Sequence, residues 1–281
     1  GYENDLRVLI KEPYPTMIKD GGIGKFSMHK QPSLENLPEA ILISLFDLDN
    51  EFSLAYEVAV TNHNLKHEWP KAVINESRKL KDKNFDIESV IDLRGKTFVT
   101  IDGKSAKDFD DAVLGEKDEH GNLILYVAIA DVARYIDEGS HLDNEAFDRG
   151  TSVYFSQRVI PMLPEELSND LCSLIPDEDR FCIVCKTTVS QDGSLTDTSF
   201  FEAIINSKSR LTYPTVTREI EKKQFKKPYA DSLRVLLKIY RRLKKNRVER
   251  GSLELEVPTY IPKVENQKIV KFIDSPREIS H

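Results

Sequence analysis

Phe98, Thr100 and Asp102 alternate with the apolar Val99 and Ile101, the two-residue period of a strand. NLILYVAIADVARYI (122–136) is a long apolar run with β-branched residues and predicts a buried strand. RFCIVCKTTVS (180–190) and TDTSFFEAIINS (196–207) predict two more strands joined by the QDGS turn. The period changes between Tyr229 and Glu249. There Leu233, Leu236, Leu237, Tyr240 and Leu243 fall at helical spacing, opposite many Lys and Arg, and predict an amphipathic helix. LDNEAFDRG (142–150) and PEELSNDL (164–171) read as short helices, and LELEVPTYIPKV (253–264) and KIVKFID (268–274) as two further strands.

The segment before these reads differently. Residues 1–66 look like a β-rich module, with short apolar runs at Leu6–Ile10, Ala40–Leu48 and Phe52–Val60 punctuated by Gly, Pro and Asn. Lys25, Phe26, His29 and Lys30 mix aromatic and positive side chains as single-strand binders do, a mixture that chance composition explains equally well. HEWPKAVINESRKLKDKN (67–84) predicts a polar helical connector starting at Trp69 and Pro70. A second region then runs over 85–281. No internal repeat or low-complexity tract interrupts it.

Composition narrows the class. Of 281 residues, 40% are apolar, enough for a substantial core, and 31% are charged, which suits a soluble surface. No apolar run reaches the ~18 residues that a membrane span needs. The N-terminal GYENDLRVLIKEPYP lacks an apolar signal core. Three cysteines, Cys172, Cys182 and Cys185, are too few for a disulfide scaffold and fit a reducing cytoplasm. Cytoplasmic location and no membrane partner are the expectations.

The net charge of −7 argues weakly against nucleic-acid binding, but it hides a segregation. From Lys208 to Arg250, Lys and Arg outnumber Asp and Glu 15 to 4; from Asp86 to Glu119 acidic residues lead 10 to 5. An acidic pocket beside a basic surface suits a metal-dependent enzyme acting on a polyanion. Two ordinary solvated faces fit the same counts.

The acidic excess is concentrated in TIDGKSAKDFDDAV (100–113), where Asp102, Asp108, Asp110 and Asp111 follow the spacing D-x5-D-x-D-D. Carboxylates this close repel one another, and in a folded site some would take up protons unless a divalent cation is bound. Hard oxygen ligands suit Mg²⁺ or Mn²⁺ rather than zinc. On an extended segment Asp108 and Asp110 share a face and Asp111 lies opposite. Gly103 permits a sharp turn that brings Asp102 back towards the other three. An acidic surface loop is the plain alternative, though the strand before and the apolar Ala112-Val113 after argue against a floppy one. The ligand pattern of an EF-hand calcium loop is absent.

TIDGKSAKDFDDAV resembles the opening of the catalytic domain of the ribonuclease II/ribonuclease R family. The resemblance continues, in the family's order, through LYVAIADVARYI, LDNEAFDRGTSVYFSQRVIPMLPEELSNDLCSLIPDEDRFCIV and FFEAIINSKSRLTYPTV, and more loosely through RGSLELEVP. It covers roughly residues 85–260 and sits nearer the ribonuclease R branch. FSLAYEVAVTNHNLKHEWPKAV resembles the end of the family's cold-shock domain. The resemblance implies an α+β fold, with an OB-like, cold-shock-type β-barrel segment over 1–66 leading into the first half of a mixed α/β catalytic domain. It implies a 3′→5′ exoribonuclease that degrades single-stranded RNA processively to nucleoside 5′-monophosphates, with Mg²⁺ or Mn²⁺ as cofactor. Asp102, Asp108, Asp110 and Asp111 match its four acidic positions, with Asp110 the indispensable one. Tyr154, in GTSVYF, matches a tyrosine that stacks on a base near the 3′ end, although a tyrosine there also suits a plain strand position. RNA is the implied partner, with a helicase or other RNA-decay factor as a candidate.

The sequence ends at ISH (279–281), close to where the family continues, and does not include the family's later half with its basic SPIRRY-like segment or its S1-type domain. An arginine from that half reaches the scissile phosphate in the family, so residues 1–281 alone are expected to be poorly active and to expose apolar surface. The rival reading is a truncated, non-catalytic RNA-binding or regulatory module of the same fold; a calcium-binding or acidic interaction domain is the third. Cys182 and Cys185 form a CxxC that reads as strand residues rather than a zinc site, since only Cys172 remains as a partner. His120 and His281 are assigned no role.

Overall fold

The computed structural model describes residues 7–11, 22–33, 36–46, 51–82, 85–155, 158–253, 258–266, 268–275 and 278–280. Two compact units divide the chain. One holds Gly1–Glu68, Tyr154–Ile160 and Tyr260–Asp274; the other holds Trp69–Val153, Pro161–Thr259 and Ser275–His281.

The chain opens with β1 (Leu9–Ile10), β2 (Gly24–Lys30) and β3 (Glu39–Leu45), a sheet of order β1-β3-β2 in which β1 runs parallel and β2 antiparallel to β3. No closed barrel is formed by the described residues. Lys25, Phe26, His29 and Lys30 all lie exposed on β2. The apolar run Phe52–Val60, expected within a β-rich module, is instead helical, as part of α1 (Glu51–Asn62). Leu54, Ala55, Glu57 and Ala59 are good helix formers, and the run has no two-residue alternation to hold it in a strand.

The second unit begins with α2 (Lys71–Lys79) and continues through β4 (Ile91–Asp92), β5 (Val99–Asp102), β6 (Asp111–Lys117), β7 (Leu123–Ala130) and α3 (His141–Arg149). The hairpin β8 (Val153–Tyr154) and β9 (Val159–Ile160) follows in the chain, all of it but Val153 belonging to the first unit. Then come a π-helical turn at Leu167–Leu171, β10 (Asp179–Val189), β11 (Leu195–Asn206), β12 (Ser209–Thr212), α4 (Tyr213–Lys222) and α5 (Ala230–Glu249). A last hairpin, β13 (Tyr260–Glu265) and β14 (Lys268–Asp274), belongs to the first unit. In the RGSLELEVP stretch residues 254–257 lie outside the described residues, as does His281.

Seven strands of the second unit form one sheet of order β12-β5-β6-β7-β10-β11-β4. The pairs from β5 to β11 are antiparallel, while β12 and β4 join the edges in parallel. One face carries Ala112, Leu114, Ala128, Cys182, Val184 and Ala203 into a core completed by Val73, Leu142, Leu167 and Leu174. Cys182 and Cys185 are thus residues of β10, and the Cys182 thiol donates to the Ala203 carbonyl at 3.6 Å.

Part of the other face is covered by α5. Ser232 Oγ accepts a hydrogen bond from Gly115 N at 3.0 Å, and a Cβ at Gly115 would lie 2.9 Å from Leu236 N, so only glycine lets the helix sit so close. Arg242 Nη1 donates to the carbonyls of Val189 and Ser190 at 3.0 and 3.2 Å, tying the far end of α5 to the β10–β11 turn. No helix among the described residues is long and apolar enough to cross a membrane.

Candidate active site

β5 and β6 are antiparallel neighbours, so the C-terminal end of β5 and the N-terminal end of β6 meet at one end of the sheet. Asp102 is the last residue of β5, opposite Thr212 of β12; Asp111 is the first of β6, opposite Ile129 of β7. The connection between them carries Asp108 and Asp110. It starts with a turn in which Ala106 N donates to the Gly103 carbonyl at 3.2 Å. Gly103 does not need a positive φ to make it. Further along, Phe109 is 5% exposed and packs into the core, while Asp108 is half-buried and Asp110 exposed. The Asp110 carbonyl accepts from Ala130 N at 2.8 Å, which continues the β6–β7 ladder by one residue.

Residues distant in sequence hold this irregular connection. Arg210, on β12, donates from Nη2 to the carbonyls of Gly103, Lys104 and Ala106 at 3.2, 2.6 and 3.3 Å, and its guanidinium lies 5.2 Å from the centre of the Phe109 ring. Ser173 Oγ accepts from Phe109 N at 3.0 Å and donates to the Lys107 carbonyl at 2.9 Å. Neither residue stands out in the sequence as part of the site. Arg210 and Ser173 lie about a hundred and about sixty residues beyond the loop, and their types there give no signal of what they bind.

The carboxylates disfavour one another's ionisation. Burial pushes Asp102 up to about 6, and the negative charges of Asp111, Asp108 and Asp110 push the same way, against the opposing pull of Arg210. Asp110 is also raised, by burial and then by Asp108 and Asp111; Asp111 is raised by burial. The phenol of Tyr213, first residue of α4, is raised by burial and then by the negative charges of Asp102 and Asp111. Cys172 is pushed up to about 12 by its own burial and then by Asp110. One oxygen of Asp102, Oδ2, is buried with no hydrogen-bond partner, an unfavourable state for a carboxylate unless something fills it.

The fold therefore brings Asp102, Asp108, Asp110 and Asp111 to one end of the sheet. It does not preform a cage: among the described residues no three acidic, His or Cys side chains converge on a common point. The donor chemistry nonetheless fits a hard divalent cation, with four carboxylates at one end of the sheet, Asp102, Asp110 and Asp111 among them held above their ordinary value, and a buried Asp102 oxygen without a partner. Tyr154 lies elsewhere in the chain's organisation. It is 65% exposed on β8 and counts with the first unit, while the aspartates belong to the second.

Comparison with known proteins bears on this geometry. Residues 90–281 match the RNB domain family. Ribonuclease R of Vibrio parahaemolyticus is 44% identical over 206 residues, 71% of this chain and 25% of that protein. Ribonuclease R of Thermotoga maritima is 37% identical over 262 residues, 89% of this chain and 37% of that protein. The chain thus spans between a quarter and just over a third of the length of these relatives. Among solved structures, Mycoplasma genitalium RNase R in complex with ribose-methylated single-stranded RNA superposes with a TM-score of 0.88 at 25% identity, over 98% of this chain and 44% of that one. The yeast pseudonuclease Ssd1 shares the fold, with a TM-score of 0.60 at 19% identity over 80% of this chain.

Proposed function

The chain belongs to the RNB domain family, and from that premise we propose that it carries the catalytic carboxylates of a 3′→5′ exoribonuclease. The substrate is single-stranded RNA, hydrolysed processively to nucleoside 5′-monophosphates in the cytoplasm. The observation that carries this reading is the gathering of Asp102, Asp108, Asp110 and Asp111 at one end of the sheet, where Asp102, Asp110 and Asp111 are held above the ordinary carboxylate value.

Mg²⁺, or Mn²⁺ in its place, is the ion these four aspartates would hold. Bound there, it supplies Lewis acidity that polarises the scissile phosphate and neutralises charge on the leaving 3′-oxygen. The protein's own part is to keep the carboxylates ionised and aimed. Asp102 offers an oxygen that no protein group occupies. Arg210 holds the turn after Asp102 by its three backbone carbonyls and places a positive charge near that carboxylate. Asp110, fixed through its own carbonyl to Ala130, is the ligand whose loss is expected to stop the reaction. Tyr154 exposes a ring suited to stacking on any base, which matches a degrader without sequence preference. Residues 1–66 are proposed as the cold-shock-type RNA-binding segment, 67–84 as the connector and 85–281 as the catalytic part.

The test is a 5′-labelled single-stranded RNA incubated with the intact protein and Mg²⁺. Shortening from the 3′ end with release of 5′-mononucleotides, abolished by EDTA, is expected. Binding of the RNA without cleavage would overturn it in favour of a non-catalytic RNA-binding module.

A further inference from the structure

The segment 103–110 is neither helix nor strand, so its backbone groups must find partners outside the regular ladders. Three hydrogen bonds from residues 173 and 174 provide some of them. Ser173 is 1% exposed. Its hydroxyl accepts from Phe109 N at 3.0 Å and donates to the Lys107 carbonyl at 2.9 Å, so both its donor and acceptor capacity are used on one loop. The next residue, Leu174, donates from its backbone N to the Phe109 carbonyl at 2.9 Å. Ser173 is itself held, because its carbonyl accepts from Arg180 Nε at 3.0 Å.

These contacts fall on both sides of Asp108 and on both polar groups of Phe109. With the Phe109 ring locked in the core, the backbone on either side of Asp108 and ahead of Asp110 is fixed. Alanine at 173 would remove both side-chain bonds while leaving the Leu174 bond, so the loop would stay attached but lose its orientation.

We propose that Ser173 is the positioning residue for Asp108 and Asp110, its buried hydroxyl setting the backbone of Lys107–Phe109 so that the two carboxylates are aimed at the divalent ion. This rests on the reading of the aspartates as ligands. Residues that orient ligands in this way typically contribute a factor of roughly 10–100 to metal affinity or activity.

The experiment compares the intact protein with Ser173→Ala, Ser173→Thr, Ser173→Cys and Asp110→Asn, measuring Mn²⁺ binding by paramagnetic resonance, kcat and KM on single-stranded RNA, and amide hydrogen exchange. For Ser173→Ala we expect faster exchange confined to 107–110, Mn²⁺ affinity weaker by roughly tenfold or more, a lower kcat and an unchanged KM. Threonine, which keeps the hydroxyl, restores Mn²⁺ affinity. Wild-type exchange, Mn²⁺ affinity and kcat in Ser173→Ala would overturn the proposal. Should the alanine variant not fold, the nearly isosteric cysteine decides: its weak donor is expected to lower Mn²⁺ affinity, and wild-type affinity would overturn the proposal. Failure of the functional reading looks different. The wild type would then bind no Mn²⁺ and Asp110→Asn would change nothing, whereas the exchange arm needs no metal.

Discussion

At the junction of α2 and α3, Glu145 is 8% exposed and its carboxylate accepts from Arg149 Nε at 3.0 Å, while the Arg149 guanidinium lies 3.5 Å from the centre of the Trp69 ring. Nearby, Glu76 accepts from the backbone N of His141 and Leu142 at 2.9 and 3.3 Å and so satisfies the first donors of α3. At the end of β5 and β6 the acids are treated in the opposite way. Asp102 has a buried oxygen with no partner, its neighbours are like charges, and the guanidinium beside it spends hydrogen bonds on backbone carbonyls. A paired, hydrogen-bonded buried charge is part of the scaffold. A group of carboxylates left mutually repelling is compatible with folding only if the rest of the structure holds it in place, and such groups concentrate where chemistry is done.

Substitutions on the two sides should therefore separate chemistry from stability. Asp110→Asn removes a charge with little change in volume; kcat on RNA is expected to fall by at least ~1000-fold, about 4 kcal/mol of lost transition-state stabilisation, with RNA affinity nearly unchanged in a filter-binding assay. Wild-type turnover would erase the contrast. Arg149→Ala belongs to the other side. It takes the guanidinium away from the buried Glu145 carboxylate and is expected to lower unfolding stability by about 3–5 kcal/mol in urea denaturation, while cleavage per folded molecule stays at the wild-type level.

Much of this contrast was legible along the chain and part was not. The alternation at 98–102 and the apolar runs at 122–136, 180–190 and 196–207 correspond to β5, β7, β10 and β11, and the 3.6-residue period to α5, because those patterns depend on which face of a single element is buried. The helix over 51–62 was not legible, since a short apolar run suits either element when periodicity is absent. The acidic spacing pointed to Asp102, Asp108, Asp110 and Asp111, whose placement at one end of the sheet then follows from the antiparallel pairing of β5 and β6 and the short connection between them. Ser173, Arg210 and Glu76 were invisible because each acts on backbone at least sixty residues away, and a serine, arginine or glutamate carries no mark of which carbonyl or amide it will meet.

Two smaller effects sharpen the comparison. Tyr154→Ala removes an exposed ring, and loss of one base stack is worth about 1–3 kcal/mol. The expected readout is a changed length of the final RNA product, with the metal-dependent step intact; an unchanged product ladder together with unchanged affinity for short oligonucleotides would count against the stacking role. The smallest effect is in the pH dependence of the metal-free protein. The folded-state value of Asp102 is raised to about 6, above its ordinary value of 3.8. Its contribution to stability is therefore complete in acid below the unfolded value and declines as pH rises through about 6, because the unfolded chain releases the proton first. Thermal melting without divalent ions should show a decline over that window which Asp102→Asn flattens. Glu145→Gln should leave the window in place.

The central claim is that the repelling cluster is a cation site and the satisfied junction is not. Crystals of the intact protein grown with Mn²⁺ test it through the anomalous scattering of the ion. The account expects an anomalous peak in contact with carboxylate oxygens of Asp102, Asp108, Asp110 and Asp111, and none at Glu76 or Glu145. A peak elsewhere, or no ordered ion beside these four aspartates at millimolar Mn²⁺, would contradict it.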